Sequence, residues 1–334
     1  MQVYYDRDAD LSVLKDRTIG VIGYGNQGRA QALNLRDSGV RVIVGNLEDE
    51  YASQARQDGF SPVPIADAVR VVDIVMVLIP DEVQPQVYER DIAPGLREGD
   101  TLSFASGYNV HFGLIVPPGN VDVIMVAPRT IGQRVRTAFE AGGGVNADVD
   151  VRQDYSGKGW PTALAIAKAI GCTRAGAFRT SFGTEAELDL FSEQALWPAL
   201  FDCLLAAYEV LAEHGYPKEA AALEIYASGE AADIFAAMAR KGIFEQMRLH
   251  SPTSQYGVLS RRKDATGGSE ALRQRMREAL AYIRNGNFAK EWKNEEKAGY
   301  PRFSRLKEEA FRHPITEADR DVRTLLSSTS TQAG

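Results

Sequence analysis

Residues 18–35 read TIGVIGYGNQGRAQALNL. An apolar run typical of a buried strand (18–23) leads into three glycines with the spacing G-x-G-x-x-G (23–28), and a segment with helical spacing follows. The glycine pattern alone is a weak signal, but a strand before it and a helix after it are typical of a dinucleotide-binding loop. A glycine-rich strand–turn–helix unit without a ligand is the alternative, and we favour the cofactor site.

Each glycine of this loop has a separate physical task. Gly23 permits the tight turn, Gly25 lets the backbone approach a pyrophosphate, and Gly28 lets helix and strand pack closely. The free N–H groups and the partial positive charge of the helix N-terminus then bind the phosphates.

The segments that follow repeat the alternation of strand and helix. Continuous apolar runs, which are typical of strands buried on both sheet faces, occupy 18–23, 40–45, 73–80, 101–106 and 121–128, with a further strand candidate at 147–152. Helical spacing occupies 26–39, 50–59, 82–91 and 161–172. This order predicts an α/β domain, a Rossmann-like doubly wound parallel sheet. After residue 182 the chain has only helical spacing, so we predict a dinucleotide-binding domain over 1–181 and an all-α domain over 182–326.

Composition limits the classes of function. The chain has 334 residues, 44% of them hydrophobic and 25% charged, with a formal net charge of −7. That charge disfavours a nucleic-acid or anionic-membrane surface. Two cysteines without paired spacing predict neither a disulfide framework nor a cysteine zinc site. No leader pattern is seen, and the apolar runs are too short for a bilayer, so we expect a cytoplasmic protein.

The segment NLEDEYAS (46–53) follows the second strand, where an acid usually meets the adenosine ribose. Glu48, Asp49 and Glu50 would repel a 2′-phosphate, and the segment contains no Arg or Lys to bind one. We therefore favour NADH over NADPH. A solvated acidic turn before a helix is the alternative.

Two carboxylates lie four residues apart in ELDLFSEQ (187–194), at Asp189 and Glu193. On a helix they project from one face and can hold Mg²⁺ through oxygen ligands. An ordinary acidic helix face looks the same. Glu224 and Glu230, six apart on a later helix, do not share a face.

The motifs taken together resemble the ketol-acid reductoisomerase family. The resemblance is carried by GYGNQG, LIPDEVQ (78–84), FASGYNVHFG (104–113), VDVIMVAP (121–128), GGGV (142–145), GCTRAGAF (171–178), DLFSEQ (189–194) and AKEW…KAGYPRF (289–303). It implies an enzyme that uses Mg²⁺ to migrate an alkyl group within a 2-acetyl-2-hydroxy acid and then reduces the product with NAD(P)H. It also implies a knotted or intertwined helical domain that forms a homodimer.

Matched position by position, the resemblance implies a nearly complete cofactor site. The implied cofactor-binding residues are Gly23, Tyr24, Gly25, Asn26, Gln27, Gly28, Glu48, Ser53, Pro80, Asp81, Glu82, Val83, Gln84, Ser106 and Gly132. It also implies that Asp189 and Glu193 are metal ligands and that Ser251 contacts substrate.

The reaction side departs from the family pattern. Ser106 stands where the family has its catalytic His, and His111 matches a second His that is not catalytic. Arg129 replaces a Lys, and an Arg is a poor substitute in proton chemistry because it does not lose its proton. Glu224 matches the first acid of a later pair, but Ser228 stands at the second, and Glu230 fits only after a local shift.

These departures suggest that the reductase half was kept and the isomerase half lost. We expect a reductase of a C=N (imine) or C=O bond that serves secondary metabolism, with a metal-dependent ketol-acid reductoisomerase or an inactive cofactor-binding homologue as alternatives. The catalytic candidates are Asp189, Glu193, Ser106 and Tyr108. The substrate-binding candidates are Arg129, Glu224, Ser228, Glu230 and Ser251.

Overall fold

A computed structural model describes residues 1–262 and 269–330. Its eight strands form one sheet in the order β1-β8-β7-β6-β5-β4-β2-β3. The strands are β1 (Val3–Tyr4), β2 (Thr18–Ile22), β3 (Arg41–Gly45), β4 (Ile74–Val77), β5 (Thr101–Phe104), β6 (Asp122–Pro128), β7 (Ala147–Gln153) and β8 (Ala177–Arg179). The six strands predicted from sequence are confirmed, and two short edge strands, β1 and β8, are additional.

The predicted Rossmann-like α/β sheet is confirmed, and two of its strand pairs are antiparallel, so the sheet is mixed. Strands β3, β2, β4, β5 and β6 are parallel neighbours, whereas β7 runs antiparallel to β6 and β1 antiparallel to β8. The carboxyl ends of the parallel strands therefore share one edge with the first residues of β7. Ligands of open α/β sheets bind at this edge.

Helices cover the sheet and build the second half of the chain. They are α1 (Asn26–Asp37), α2 (Glu50–Gln57), α3 (Ile65–Val71), α4 (Gln84–Val87), α5 (Tyr108–His111), α6 (Gly132–Glu140), α7 (Gly159–Ala169), α8 (Phe182–Phe191), α9 (Trp197–Glu213), α10 (Lys218–Ala222), α11 (Glu230–Lys241), α12 (Pro252–Arg261), α13 (Ser269–Arg284), α14 (Asn287–Lys297), α15 (Pro301–Phe311) and α16 (Ile315–Ser330). The π-helical segments are Tyr88–Ile92, Ser192–Leu196 and Leu223–Ala227.

The core of the first unit lies on both faces of the sheet. Every residue of β2 is buried, because β2 is flanked on both sides by parallel strands, β3 and β4. Ile19 and Val21 pack into a cluster with α1 and α7, while Ile22 packs into a cluster with α3. Alternate side chains of one strand thus serve opposite faces, which explains the continuous apolar run in the sequence.

The chain divides into two compact units, Met1–Asp189 and Leu190–Gly334. The division lies within α8, beyond the predicted boundary at 181/182. The first turns of α8 belong to the sheet unit because Asp150 accepts a hydrogen bond from the Phe182 N–H (3.0 Å) and Glu185 accepts one from the Gly107 N–H (2.6 Å).

The second unit is helical, and no strand follows residue 179 within the described ranges. Its small core consists of Tyr208, Ala221, Ala222, Ala318 and Val322. Many large apolar side chains of this unit are exposed, among them Phe201, Leu249 and Tyr256.

One helical stretch, Phe182–Glu213, is long and apolar enough to span a membrane by length and composition. The uninterrupted apolar runs in the sequence are each too short for a bilayer. The helix as a whole is longer than any of those runs. Only 11% of its most apolar window is buried.

Candidate active site

The glycine loop has the geometry that a pyrophosphate requires. Gly23 has a φ of 94°, which side chains rarely adopt, and a Cβ on Gly28 would lie 2.0 Å from the Gly23 carbonyl oxygen. A Cβ on Gly25, by contrast, would meet no atom within 4 Å. The open space at Gly25, directly before the N-terminus of α1, is where phosphate oxygens can reach the free N–H groups.

The segment after β6 packs on the same loop. The Gln27 side-chain amide donates to the Thr130 carbonyl (2.8 Å), and a Cβ on Gly132 would lie 1.9 Å from the Asn26 carbonyl oxygen. A cavity of about 900 Å³ opens here, lined among others by Gly25, Asn26 and Gly132. The sequence predicted that Gly132 contacts the cofactor, and in the structure it directly contacts the loop that would bind it.

Tyr24 serves the fold with its side chain. The side chain is buried, and its hydroxyl donates to Asp58 (3.0 Å), while the Tyr24 N–H donates to the Asn46 side chain (3.0 Å). Burial and the Asp58 carboxylate raise the pKa of this phenol well above its ordinary value. Its predicted place in the cofactor site is therefore a backbone position.

The second cofactor loop, Pro80–Gln84, is held by a buried amide pair. Gln84 donates to the Ile79 carbonyl (2.8 Å) and Asp81 Oδ1 (3.1 Å), and Asn109 donates to the Asp81 carbonyl (3.0 Å) and Gln84 Oε1 (3.0 Å). Glu82 and Val83 lie between these fixed points. The loops after β4 and β5 are thus tied together at the carboxyl edge of the sheet.

The acidic segment after β3 is paired rather than free. Glu48 receives two hydrogen bonds from the Arg56 guanidinium (2.7 and 2.6 Å), which holds the pKa of Glu48 below its ordinary value. Asp49 caps α2 by accepting from the Ala52 N–H (3.0 Å), and the Ser53 hydroxyl donates to the Asp49 carbonyl (3.3 Å). The segment itself has no cation, as the sequence indicated, but the fold brings Arg56 to it.

Arg129, at the carboxyl end of β6, lies among three carboxylates. Its Nη1 donates to Glu185 Oε1 (2.9 Å), its Nη2 donates to Asp189 Oδ1 (2.9 Å), and its Nε lies 3.7 Å from Asp148 Oδ2. We call Asp148, Glu185 and Asp189 the carboxylate cluster. The Glu185 side chain is 2% exposed and that of Asp189 is 45% exposed, so the guanidinium links a buried acid to a solvated one.

Burial raises the pKa of two of these carboxyl groups, Glu185 and Asp148. Desolvation raises the pKa of Glu185 to about 7, against the opposing effects of the Gly107 N–H and Arg129. Desolvation also raises the pKa of Asp148, and the Asp189 charge adds to this effect. Desolvation disfavours the Arg129 cation, but the charges of Asp189 and Glu185 outweigh it, so the pKa of Arg129 is raised.

Three candidate residues, Ser106, Tyr108 and His111, follow β5 and differ in their contacts. The Ser106 hydroxyl accepts a hydrogen bond from the Tyr108 N–H (3.2 Å) and is partly exposed next to the buried Gly107. Tyr108 is buried and lies with its ring edge-on to Phe112. His111 packs on Phe112 and against Gly183, with Nε2 3.7 Å from Glu187, so its surroundings are those of a packing residue.

The first unit does not suit a divalent metal at Asp189. The Asp189 carboxylate already binds a cation, and the described residues include no group of three His, Cys, Asp or Glu side chains arranged to hold a metal. The guanidinium takes one of the two Asp189 carboxylate oxygens, Oδ1, at 2.9 Å, and its positive charge opposes a divalent cation beside it. The metal role of Asp189 stays a prediction, and the cation beside its carboxylate disfavours that role.

The other candidates belong to the second unit. Glu193 lies in the π-helical segment Ser192–Leu196. Glu224 and Glu230 are exposed, and the Ser228 hydroxyl accepts from the Glu230 N–H (3.4 Å). Ser251 caps α12 by accepting from the Ser254 N–H (3.2 Å). Their roles toward substrate stay predictions.

Comparison with known proteins identifies the family of this chain. Two family models match, the acetohydroxy acid isomeroreductase NADPH-binding domain over 13–176 and the ketol-acid reductoisomerase C-terminal domain over 182–328. The chain belongs to the ketol-acid reductoisomerase family. It is therefore an enzyme, an oxidoreductase that uses a nicotinamide cofactor, as the sequence motifs predicted.

Relatives of the family match over nearly the whole chain. A ketol-acid reductoisomerase (NADP(+)) from Pyrobaculum aerophilum is 46% identical over 97% of this chain and 98% of its own. The corresponding protein from Petrotoga mobilis is 43% identical over 98% of both chains. The solved structure of an NADH-preferring ketol-acid reductoisomerase from an uncultured archean is 39% identical, with a TM-score of 0.93 over 97% of this chain and 99% of that one.

Three residues of the site were not singled out from sequence. Glu185 and Asp148 complete the carboxylate cluster, and Asn109 joins the loops after β4 and β5. The signal for Asp148 was present in ADVDVR (147–152), where Asp148 and Asp150 alternate with valines and so share one face of the strand.

Proposed function

We propose that the protein is an NAD(P)H-dependent reductase that transfers hydride to a C=N or C=O bond of a small substrate, without metal-dependent alkyl migration. The observation that carries this proposal is the Arg129 guanidinium bound between Glu185 and Asp189. It places a permanent cation on the carboxylate that the family pattern assigns to a metal ion.

The two half-reactions have different needs. Migration of an alkyl group requires a Lewis acid on the ketone and alkoxide oxygens and a well-placed acid–base group. Arg129 supplies charge and hydrogen bonds, but it provides no open coordination position and does not act as an acid or base near neutral pH. Ser106 cannot replace an imidazole as a base near neutral pH unaided.

Hydride transfer needs less from the protein. Bound NAD(P)H supplies the hydride. The glycine loop and the N-terminus of α1 bind the pyrophosphate, and the Gln84–Asn109 pair fixes the neighbouring loop. Glu185 can hold or release a proton near neutral pH, since its pKa is about 7. Ser106, on the same loop as Gly107, can orient the substrate by a hydrogen bond.

We propose NADH as the preferred cofactor. Glu48 follows the second strand, where an acid usually meets the adenosine ribose, and its carboxylate would compete with a 2′-phosphate for the Arg56 guanidinium. One solved relative is named as NADH-preferring, whereas the curated relatives are named for NADP(+). A lower kcat/KM with NADPH than with NADH is the expected result.

We propose a cytoplasmic homodimer formed through the helical unit. The helical unit exposes large apolar side chains, such as Phe201, Leu249 and Tyr256, and covering such side chains removes apolar surface from water. A second copy would cover them and the apolar face of Phe182–Glu213. Sedimentation equilibrium tests this assembly, and a monomeric mass would contradict it.

A second candidate function is a working, Mg²⁺-dependent ketol-acid reductoisomerase that converts 2-acetolactate for branched-chain amino acid synthesis. The identity of 43–46% to curated ketol-acid reductoisomerases favours it. An inactive homologue that only binds cofactor is the third candidate.

One set of assays separates the three candidates. NADH oxidation is followed with 2-acetolactate and Mg²⁺, and with cyclic imines and 2-keto acids in EDTA. We expect turnover of an imine or a ketone in EDTA and at most trace turnover of 2-acetolactate. Mg²⁺-dependent turnover of 2-acetolactate at ordinary enzyme rates would overturn the proposal, and NADH binding without any turnover would support the inactive homologue.

A further inference from the structure

The charge balance around Arg129 points to one class of substrate, and this inference rests on the proposed reductase function. A single guanidinium lies among three carboxylates, and all four groups interact electrostatically. Even with Glu185 protonated, two carboxylates face one cation. The surroundings therefore disfavour an anionic substrate and favour a cation.

Asp148 is the member of the carboxylate cluster whose bonding is incomplete. Its side chain is only 19% exposed, and its nearest cation, Arg129 Nε, lies 3.7 Å away, beyond hydrogen-bond distance. Its carboxylate accepts no hydrogen bond from the residues within 1–262 and 269–330. A half-buried carboxylate without a donor is costly, and an N–H donor from a ligand would relieve that cost.

The position of Asp148 is right for contact with substrate. It pairs with Ala127 across the antiparallel ladder, so it lies at the edge where the parallel strands end. The loop carrying Ser106 follows β5, the neighbour of β6, at this same edge. Asp150 points to the same face two residues further on, but its carboxylate is used to cap α8.

We propose that Arg129 takes the place of a divalent ion in this site and that Asp148 receives the N–H of a protonated imine. Hydride from the nicotinamide forms a C–H bond at the iminium carbon, and the C=N π electrons become the nitrogen lone pair. The iminium is reduced to an amine, NADH is oxidised to NAD⁺, and no proton has to be delivered during the step. Asp148 is thus the residue that selects a cationic C=N substrate over a neutral C=O substrate.

The test compares binding and turnover in the wild type and Asp148→Asn. Binding of pyrrolidinium and of its neutral analogue tetrahydrofuran to the NAD⁺-loaded protein is measured by calorimetry. Values of kcat/KM for 1-pyrroline and cyclopentanone are measured with NADH. We expect Asp148→Asn to weaken pyrrolidinium binding and to lower kcat/KM for 1-pyrroline at least tenfold, with little change for cyclopentanone. Asp67→Asn, which removes an exposed charge paired with Arg70, is the control and should change neither value more than twofold.

Asp148→Glu keeps the negative charge, so it should bind pyrrolidinium nearly as well as the wild type does. If Asp148 had a purely structural role, the affinity would not depend on that charge. Thermal unfolding of each variant shows whether the fold is retained. The inference is overturned if the wild type binds pyrrolidinium no better than tetrahydrofuran, or if Asp148→Asn binds it as the wild type does. Because calorimetry needs no turnover, these outcomes are separate from a failure of the proposed reductase activity, which would appear as absence of NADH oxidation with every substrate.

Discussion

At the scale of single residues, Arg129 and Glu185 determine the charge of the candidate active site. A guanidinium keeps its charge at every accessible pH, so it fixes an electrostatic field without taking part in proton exchange. The buried Glu185 beside it is the group whose charge does change near neutral pH. The sequence indicated Arg129 and Asp189 separately, but their contact joins residues 60 positions apart and depends on the packing of α8 against β6.

Glu185 predicts a dependence of stability on pH. Its pKa is raised from 4.5 to about 7 by burial, so the folded protein favours the protonated form. The stabilising contribution is complete below the unfolded pKa of 4.5 and is lost as the pH rises through about 7. A shift of this size corresponds to an upper limit on the order of 3 kcal/mol.

This prediction is checked by urea unfolding of the wild type and Glu185→Gln between pH 5 and pH 8.5. The free energy of unfolding of the wild type relative to the variant should fall across this range. A difference between the two proteins that stays constant with pH would show that Glu185 does not titrate there.

At the scale of elements, the glycine loop and α1 form the unit that could be predicted best. The bounds of β2 and α1 agree with the sequence pattern, because an apolar strand, a glycine turn and an amphipathic helix are each determined by local sequence. The direction of β7 was not predicted. Its alternating valines and aspartates differ from the continuous runs of the parallel strands, and such alternation is typical of an antiparallel strand.

Two alanine substitutions in this loop should separate folding from cofactor binding. Gly28→Ala puts a Cβ 2.0 Å from the Gly23 carbonyl oxygen and should destabilise the fold by about 1–3 kcal/mol and remove NADH binding. Gly25→Ala meets no protein atom within 4 Å and has a φ of −74°, so the fold should be kept. Its methyl group should nevertheless lower NADH affinity at least tenfold, because the backbone must approach the pyrophosphate there.

Thermal unfolding and fluorescence titration with NADH measure the two effects. Wild-type NADH affinity in Gly25→Ala would contradict the placement of the pyrophosphate. Unchanged stability of Gly28→Ala would contradict the close packing of helix and strand.

At the scale of the whole molecule, the sequence predicted the α/β unit and the helical unit in the right order. The helical unit was the harder part, since helical spacing shows that a helix exists but not which face a partner covers. Helical spacing also does not show where a helix is interrupted, as residues 220–242 are by a π-helical segment and by Gly229 with a φ of 91°. The division at 189/190 likewise depends on tertiary hydrogen bonds to α8 that no local pattern shows.

The central claim, that Arg129 stands in place of a metal ion, is tested most directly by titrating the NADH-loaded protein with Mn²⁺ and following free Mn²⁺ by electron paramagnetic resonance. We expect the wild type to leave Mn²⁺ free, and Arg129→Met to gain a site that the further change Asp189→Asn removes. Arg97→Met is the matched control, since Arg97 forms a similar ion pair with Asp100 at the opposite edge of the sheet. Tight binding of one Mn²⁺ per chain by the wild type, abolished by Asp189→Asn alone, would contradict the account.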